Sequence, residues 1–133
     1  MALEVELSWQ GAQRFLGRAG PTQVVLDGDA TAGPSPVQAL ALALASCMAI
    51  DVVHILTKGR HEPRALSAHL EADRADTEPK RIRAVRLRFH VIGDVPADKI
   101  ERAIALSREK YCTVWHSLRQ DIVFETTFTV GPA

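Results

Sequence analysis

Net charge is the first thing this sequence lacks. Sixteen Lys and Arg cancel sixteen Asp and Glu across 133 residues. That balance removes the general electrostatic attraction by which a protein finds nucleic acid or an anionic membrane surface, and neither partner is expected. Cysteine is scarce as well: Cys47 and Cys112, 65 positions apart, make up the whole complement. Two such residues do not resemble the disulfide framework of a small secreted domain, and no CxxC or HxxxH spacing suggests zinc. His61, His69, His90 and His116 show no ligand spacing either, so no metal or cofactor is expected. The opening residues, MALEVELSWQ, hold no basic segment and no long apolar run. A signal peptide is therefore not expected, and a cytoplasmic location is. The loop from Gly28 to Pro34 lacks the GK[ST] ending of a phosphate-binding loop, so its glycines read as turn residues. The length suits one domain spanning 1–133, with a single core.

What is present is strong patterning. Leu3, Val5, Leu7 and Trp9 alternate with polar residues as in a strand with one buried face. Arg14 to Arg18 and Gln23 to Asp27 continue this into a three-stranded meander. Helix signals then coincide: Ser35 as N-cap, Pro36 at the first helical position, and Gln38 to complete a capping box. The apolar run continues to Leu56, and Lys58 and Gly59 supply a basic last turn and a stop. This helix of about 23 residues, roughly 34 Å long, is apolar nearly all round until Asp51, which interrupts it too early for a membrane span. One subunit of this size has too little mass to wrap it, which predicts an intimate homodimer.

Beyond the helix, Leu66 to Asp73 and Arg81 to Ile92 read as a hairpin turning at Thr77 to Pro79. In its second arm Val85, Leu87, Phe89 and Val91 face one way, while Arg86, Arg88 and His90 face the other. This basic stripe lies opposite Glu71 and Asp73, where cross-strand charge pairs explain it without nucleic acid. Pro96 to Tyr111 predicts an amphipathic helix with Ile100, Ala103, Ile104 and Ser107 on one side, followed by a shorter helical segment from Cys112 to about Arg119. Ile122 to Val130 alternates as a closing strand. The predicted class is α+β, in the order βββ-α-ββ-αα-β.

Cys47 lies about twelve residues into its helix, too deep for the helix N-terminus to activate it. Cys47, Asp51 and His54 share one face, the pattern of a nucleophile with its helpers. Cys47 and His54 are nevertheless roughly 10 Å apart along the axis, too far for a direct hydrogen bond. A carboxylate one turn from a thiol disfavours the thiolate, so Asp51 needs a partner of its own, with His54 or an arginine as candidates. It serves either a site or a dimer interface. Cys112 opens a helical segment after Lys110 and Tyr111, where free N–H groups and a nearby ammonium would favour a thiolate.

The stretch PVQALALALASCMAIDVVHILTKGR, a hairpin, and then ERAIALSREKYCTV resembles the OsmC-like family, which includes the organic hydroperoxide resistance proteins. The two-cysteine layout is its specific part, and AIDVV and LSREKYC are most similar to a divergent branch. The resemblance implies an OsmC-like fold, an interlocked homodimer whose sheets enclose two central helices. It also implies that Cys47 attacks an organic hydroperoxide and becomes a sulfenic acid, that Cys112 resolves it as a disulfide, and that a dithiol reductant restores the pair. Family peroxidases add an arginine that steadies the thiolate, for which Arg14 and Arg18 are the candidates and Arg18 the preferred one. They also carry a glutamate ten residues before the cysteine; here that position is Val37, and the neighbouring Gln38 points about 100° away.

Three functions follow as alternatives. One is a thiol-dependent peroxidase using Cys47 and Cys112. Another is a non-catalytic dimer that binds an apolar ligand or senses redox state, favoured by Val37. The last is a thiol hydrolase built on Cys47, Asp51 and His54, which the axial distance opposes.

Overall fold

The computed structural model describes residues 2–132. Strands β1 (Glu6–Trp9), β2 (Arg14–Ala19) and β3 (Thr22–Asp27) precede helix α1 (Pro36–Lys58). Then follow β4 (Ala65–Arg74), β5 (Ile82–Ile92), α2 (Ala97–Leu106), a π-helical turn (Ser107–Tyr111), the short α3 (Thr113–His116) and β6 (Val123–Gly131). The order is the predicted βββ-α-ββ-αα-β. Two compact units divide between Leu42 and Ala43, so that α1 begins in the first and continues in the second.

In the first unit β1, β2 and β3 form an antiparallel meander. Leu7 sits opposite Gly17, and Phe15 opposite Leu26. Asp27 closes this sheet and organises the loop behind it. Its carboxylate accepts hydrogen bonds from the Asp29 N–H, the Thr31 hydroxyl and the Ala32 N–H at 2.9, 2.9 and 3.0 Å. Those donors, the Ala32 and Asp29 amides foremost, hold the Asp27 pKa at about 2. At Gly33 the chain passes so close to the Val25 carbonyl that a Cβ would collide with it. The capping box forms as the sequence predicts: the Gln38 N–H donates to the Ser35 hydroxyl at 3.2 Å, and the Ser35 N–H to the Gln38 side-chain carbonyl at 2.9 Å.

The second unit holds the core. β4 and β5 pair antiparallel, and β6 lies parallel to β5 on its other side. A parallel neighbour needs a long crossover, which α2, the π turn and α3 supply. Val85, Leu87, Phe89 and Val91 are buried, as their alternation requires, and share one apolar cluster with Leu44, Met48, Val52 and Leu56 of α1. Those four α1 residues recur every fourth position and trace one face. By length and composition α1 also has the character of a membrane span, yet this face is committed to the core. On the opposite face of the sheet Arg86 grips Asp73 at 2.9 and 3.1 Å and Glu71 at 3.4 Å. Arg86 of the basic stripe is thus paired across the hairpin, and it holds the Asp73 carboxyl below its ordinary pKa.

Candidate functional site

The site grows from two segments of the second unit, α1 and the crossover between β5 and β6. Cys47 lies one residue before the fully buried Met48, which leaves its own side chain half-buried at the edge of the core. Cys112 follows the π turn and is completely buried. The turn is set by the Cys112 N–H, which donates to the Ser107 carbonyl five residues back at 2.8 Å. This extra residue relative to an α-helical turn ends the continuous helix expected to reach Tyr111: α2 stops at Leu106. Cys112 is a neighbour of Cys47, close enough for the Cys47 side chain to raise its pKa, and both cysteines are free.

Cys112 also caps α3. Its sulfur accepts the Trp115 N–H at 3.3 Å, the role that Ser, Thr, Asp or Asn usually play. This amide was expected to favour a thiolate, and on its own it does lower the pKa. Burial is the larger influence, and Cys47 adds to it, so the Cys112 thiol is pushed up to about 11. The expected activation of Cys112 is therefore reversed, because a sulfur without solvent loses more from ionising than one amide returns.

Asp51, one turn beyond Cys47, meets neither His54 nor an arginine in the way the sequence suggested. Its carboxylate accepts the hydroxyl of Ser107 at 2.7 Å. His54 is exposed and lines an open groove of about 720 Å³ with Ile50, Val53, Thr57, Glu62 and Leu66. The neighbour that the structure gives Cys47 is another thiol, not an imidazole. Arg14 and Arg18 lie on β2 in the first unit, both exposed. Val37, at the position of the family glutamate, is half-buried in the first turn of α1.

Two residues of the site region escaped sequence reading. Ser107 was placed on the apolar side of its helix, and it is fully buried, but nothing in its spacing announced Asp51 as its partner. Arg108 lies over the Phe124 and Trp115 rings, 4.8 and 5.9 Å from their centroids, while those rings meet each other at 4.5 Å. Such stacking fixes the outer side of the π turn through cation–π attraction. The signal was an arginine between a buried serine and an aromatic cluster, which has no fixed spacing. Among the described residues no cluster of His, Cys, Asp and Glu fit to hold a metal is found.

Comparison with known proteins gives the arrangement its context. The model of the family described as OsmC-like protein matches residues 27–127. The protein YhfA of Escherichia coli K12 is 35% identical over 134 residues, which covers 98% of this chain and all of that one. A hypothetical protein from Aquifex aeolicus has a solved structure that superposes with a TM-score of 0.92 at 26% identity, covering 100% of this chain and 98% of its own. An organic hydroperoxide resistance protein OsmC from Legionella pneumophila shares the fold with a TM-score of 0.72 at 16% identity, over 98% of each chain. The sheets, the long central helix and the family match agree, and the chain belongs to the OsmC-like family.

Proposed function

We propose that this protein is a thiol-dependent peroxidase that reduces organic hydroperoxides, with Cys47 as nucleophile and Cys112 as resolving thiol. The observation that carries the reading is the approach of the two thiols, one half-buried and one completely buried, in a chain with no other cysteine. Family membership supports a redox role in peroxide resistance, the role named for the Legionella relative. With its proton held firmly, Cys112 is a poor first nucleophile, which leaves the attack to Cys47.

In this reaction the Cys47 thiolate attacks one peroxide oxygen, and the O–O bond breaks. The alkoxide leaves, takes a proton and becomes the alcohol, while Cys47 becomes a sulfenic acid. The Cys112 sulfur then bonds to the Cys47 sulfur, and the hydroxyl departs as water with the Cys112 proton. A dithiol donor reduces the disulfide by two exchanges, so peroxide gains the two electrons that the donor loses. The apolar side chains around Cys47 suit an alkyl or aryl hydroperoxide better than a small polar one.

A second copy of the chain is the partner we assign to the surfaces that the protomer leaves bare. Trp9 is 68% exposed in the first unit and Ile50 67% exposed in the second, more apolar surface than a monomer usually shows water. A cytoplasmic location supplies the reducing environment that the cycle needs.

Intact mass and free-thiol counts after addition of cumene hydroperoxide test the mechanism. Wild type is expected to lose both thiols as one intramolecular disulfide, and Cys112→Ser to hold a sulfenic acid on Cys47 that dimedone traps. Survival of both thiols through many equivalents of peroxide would remove the peroxidase reading and leave a protein that binds rather than reacts.

A further inference from the structure

The thiol pair is one of two links between the same two segments. On α1, Cys47 and Asp51 stand one turn apart, about 6 Å along the axis. On the crossover, Ser107 and Cys112 stand one π turn apart, tied by the 2.8 Å bond from the Cys112 N–H to the Ser107 carbonyl. Ser107 uses its other polar group on α1, where its hydroxyl donates to Asp51 at 2.7 Å. A single buried serine therefore holds the backbone of one thiol and the helix of the other. Cys112 neighbours Cys47 at one rung, and hydroxyl meets carboxylate at the next.

We propose that Ser107 and Asp51 are positioning residues, a hydrogen-bonded clamp that holds Cys112 against Cys47 and sets how readily the two close into a disulfide. This deepens the dithiol reading above and rests on it. A thiol held in place reacts as though it were highly concentrated at its partner, and each restraint removed lowers that effective concentration. A charge-assisted bond between a hydroxyl and a carboxylate is among the stronger restraints available to a side chain. It also gives a half-buried carboxylate its partner, which explains why an aspartate is tolerated in an apolar helix.

The test needs no peroxide. Oxidised glutathione supplies the oxidant: the Cys47 thiolate attacks one of its sulfurs and releases a glutathione thiolate, and Cys112 displaces the second. The protein loses two electrons, and glutathione disulfide becomes two thiols. The dithiol–disulfide equilibrium is measured in glutathione buffers by mass, for wild type, Ser107→Ala, Asp51→Ala and Asp51→Asn. Ser107→Ala and Asp51→Ala are each expected to lower the equilibrium constant about tenfold, which raises the reduction potential by about 30 mV. Asp51→Asn keeps a carbonyl that accepts the Ser107 hydroxyl and is expected to stay within about twofold of wild type.

A merely structural role for the pair weakens the reduced and oxidised proteins alike and leaves the potential unmoved, and that result overturns the clamp. A shift of opposite sign does the same. Asp51→Ala leaves the buried serine in place and serves as the second variant if Ser107→Ala does not fold. A wild type that forms no Cys47–Cys112 disulfide removes the dithiol reading together with the clamp. Shifted potentials in a protein inert to hydroperoxides support the clamp and remove only the peroxidase assignment.

Discussion

Replacing Cys47 with serine leaves Cys112 as the one thiol in the chain and makes its ionisation measurable. The wild-type thiol is raised from an ordinary 9.0 to about 11, chiefly by burial, with the neighbouring Cys47 a smaller contributor. Serine keeps the burial, so most of the rise persists in Cys47→Ser. A thiol of ordinary pKa is half-ionised at pH 9, whereas one near 11 has about one molecule in a hundred ionised there. The assay is a titration of thiolate ultraviolet absorbance, with the Cys47→Ser, Cys112→Ser double variant as the blank that removes tyrosine ionisation. Circular dichroism recorded alongside confirms that the protein stays folded. Half-ionisation at or below pH 9 in the folded protein would refute the account of Cys112 as a proton-holding thiol. Stability must follow the same proton. Because the native state binds it more tightly than the unfolded chain, this contribution is complete below about pH 9 and is lost as pH rises toward 11. Urea midpoints of reduced wild type should decline through that window more steeply than those of Cys112→Ser.

Four other perturbations probe the frame. Phe89→Ala, at a fully buried position in the central strand, is expected to cost about 3–5 kcal/mol in urea unfolding; a loss below about 1 kcal/mol would contradict its place in the core. Gly33→Ala forces a methyl group against the Val25 carbonyl and should destabilise by about 1–3 kcal/mol, whereas an unchanged midpoint would mean that the loop has room there. Asp27 has a depressed carboxyl pKa, so its stabilisation is present above about pH 4 and vanishes as pH falls through about 2. Asp27→Asn should therefore flatten the acid limb of the urea midpoint, and an unaltered limb would count against the loop network. Ile50→Glu should shift sedimentation from two copies of the chain to one, since a charge there is incompatible with a buried apolar interface; a wild type that sediments as a monomer at micromolar concentration would rule out the dimer.

Local signals were read well because the physics behind them is local. Ser35, Pro36 and Gln38 marked the start of α1, and Lys58 and Gly59 its end, since caps act within one turn of the backbone they satisfy. The alternation from Val85 to Val91 gave the buried face of β5, and Glu71 and Asp73 explained Arg86, because a hairpin fixes its own register. What escaped was non-local. Nothing between Ile122 and Val130 distinguishes a parallel neighbour of β5 from an antiparallel one. The π turn at Ser107–Tyr111 has no compositional mark, so the expected helix ran through it to Tyr111, although Cys112 was rightly placed at the opening of the next helical segment. The hydroxyl that meets Asp51 comes from 56 residues away, beyond the reach of a helical-wheel argument, which offered His54 and otherwise left an unspecified arginine. Family likeness offered Cys47 and Cys112 as a pair, while the raised Cys112 pKa needed the burial that only the assembled core reveals.

The parallel placement of β6 gives the site an order in time. Synthesis delivers Cys47 first and Cys112 65 residues later, on a crossover whose far end is pinned only when the last strand docks beside β5. Long-range parallel pairing is among the slowest contacts to form. An unfinished chain thus holds two unacquainted thiols, and their meeting becomes a mark that the last strand has docked.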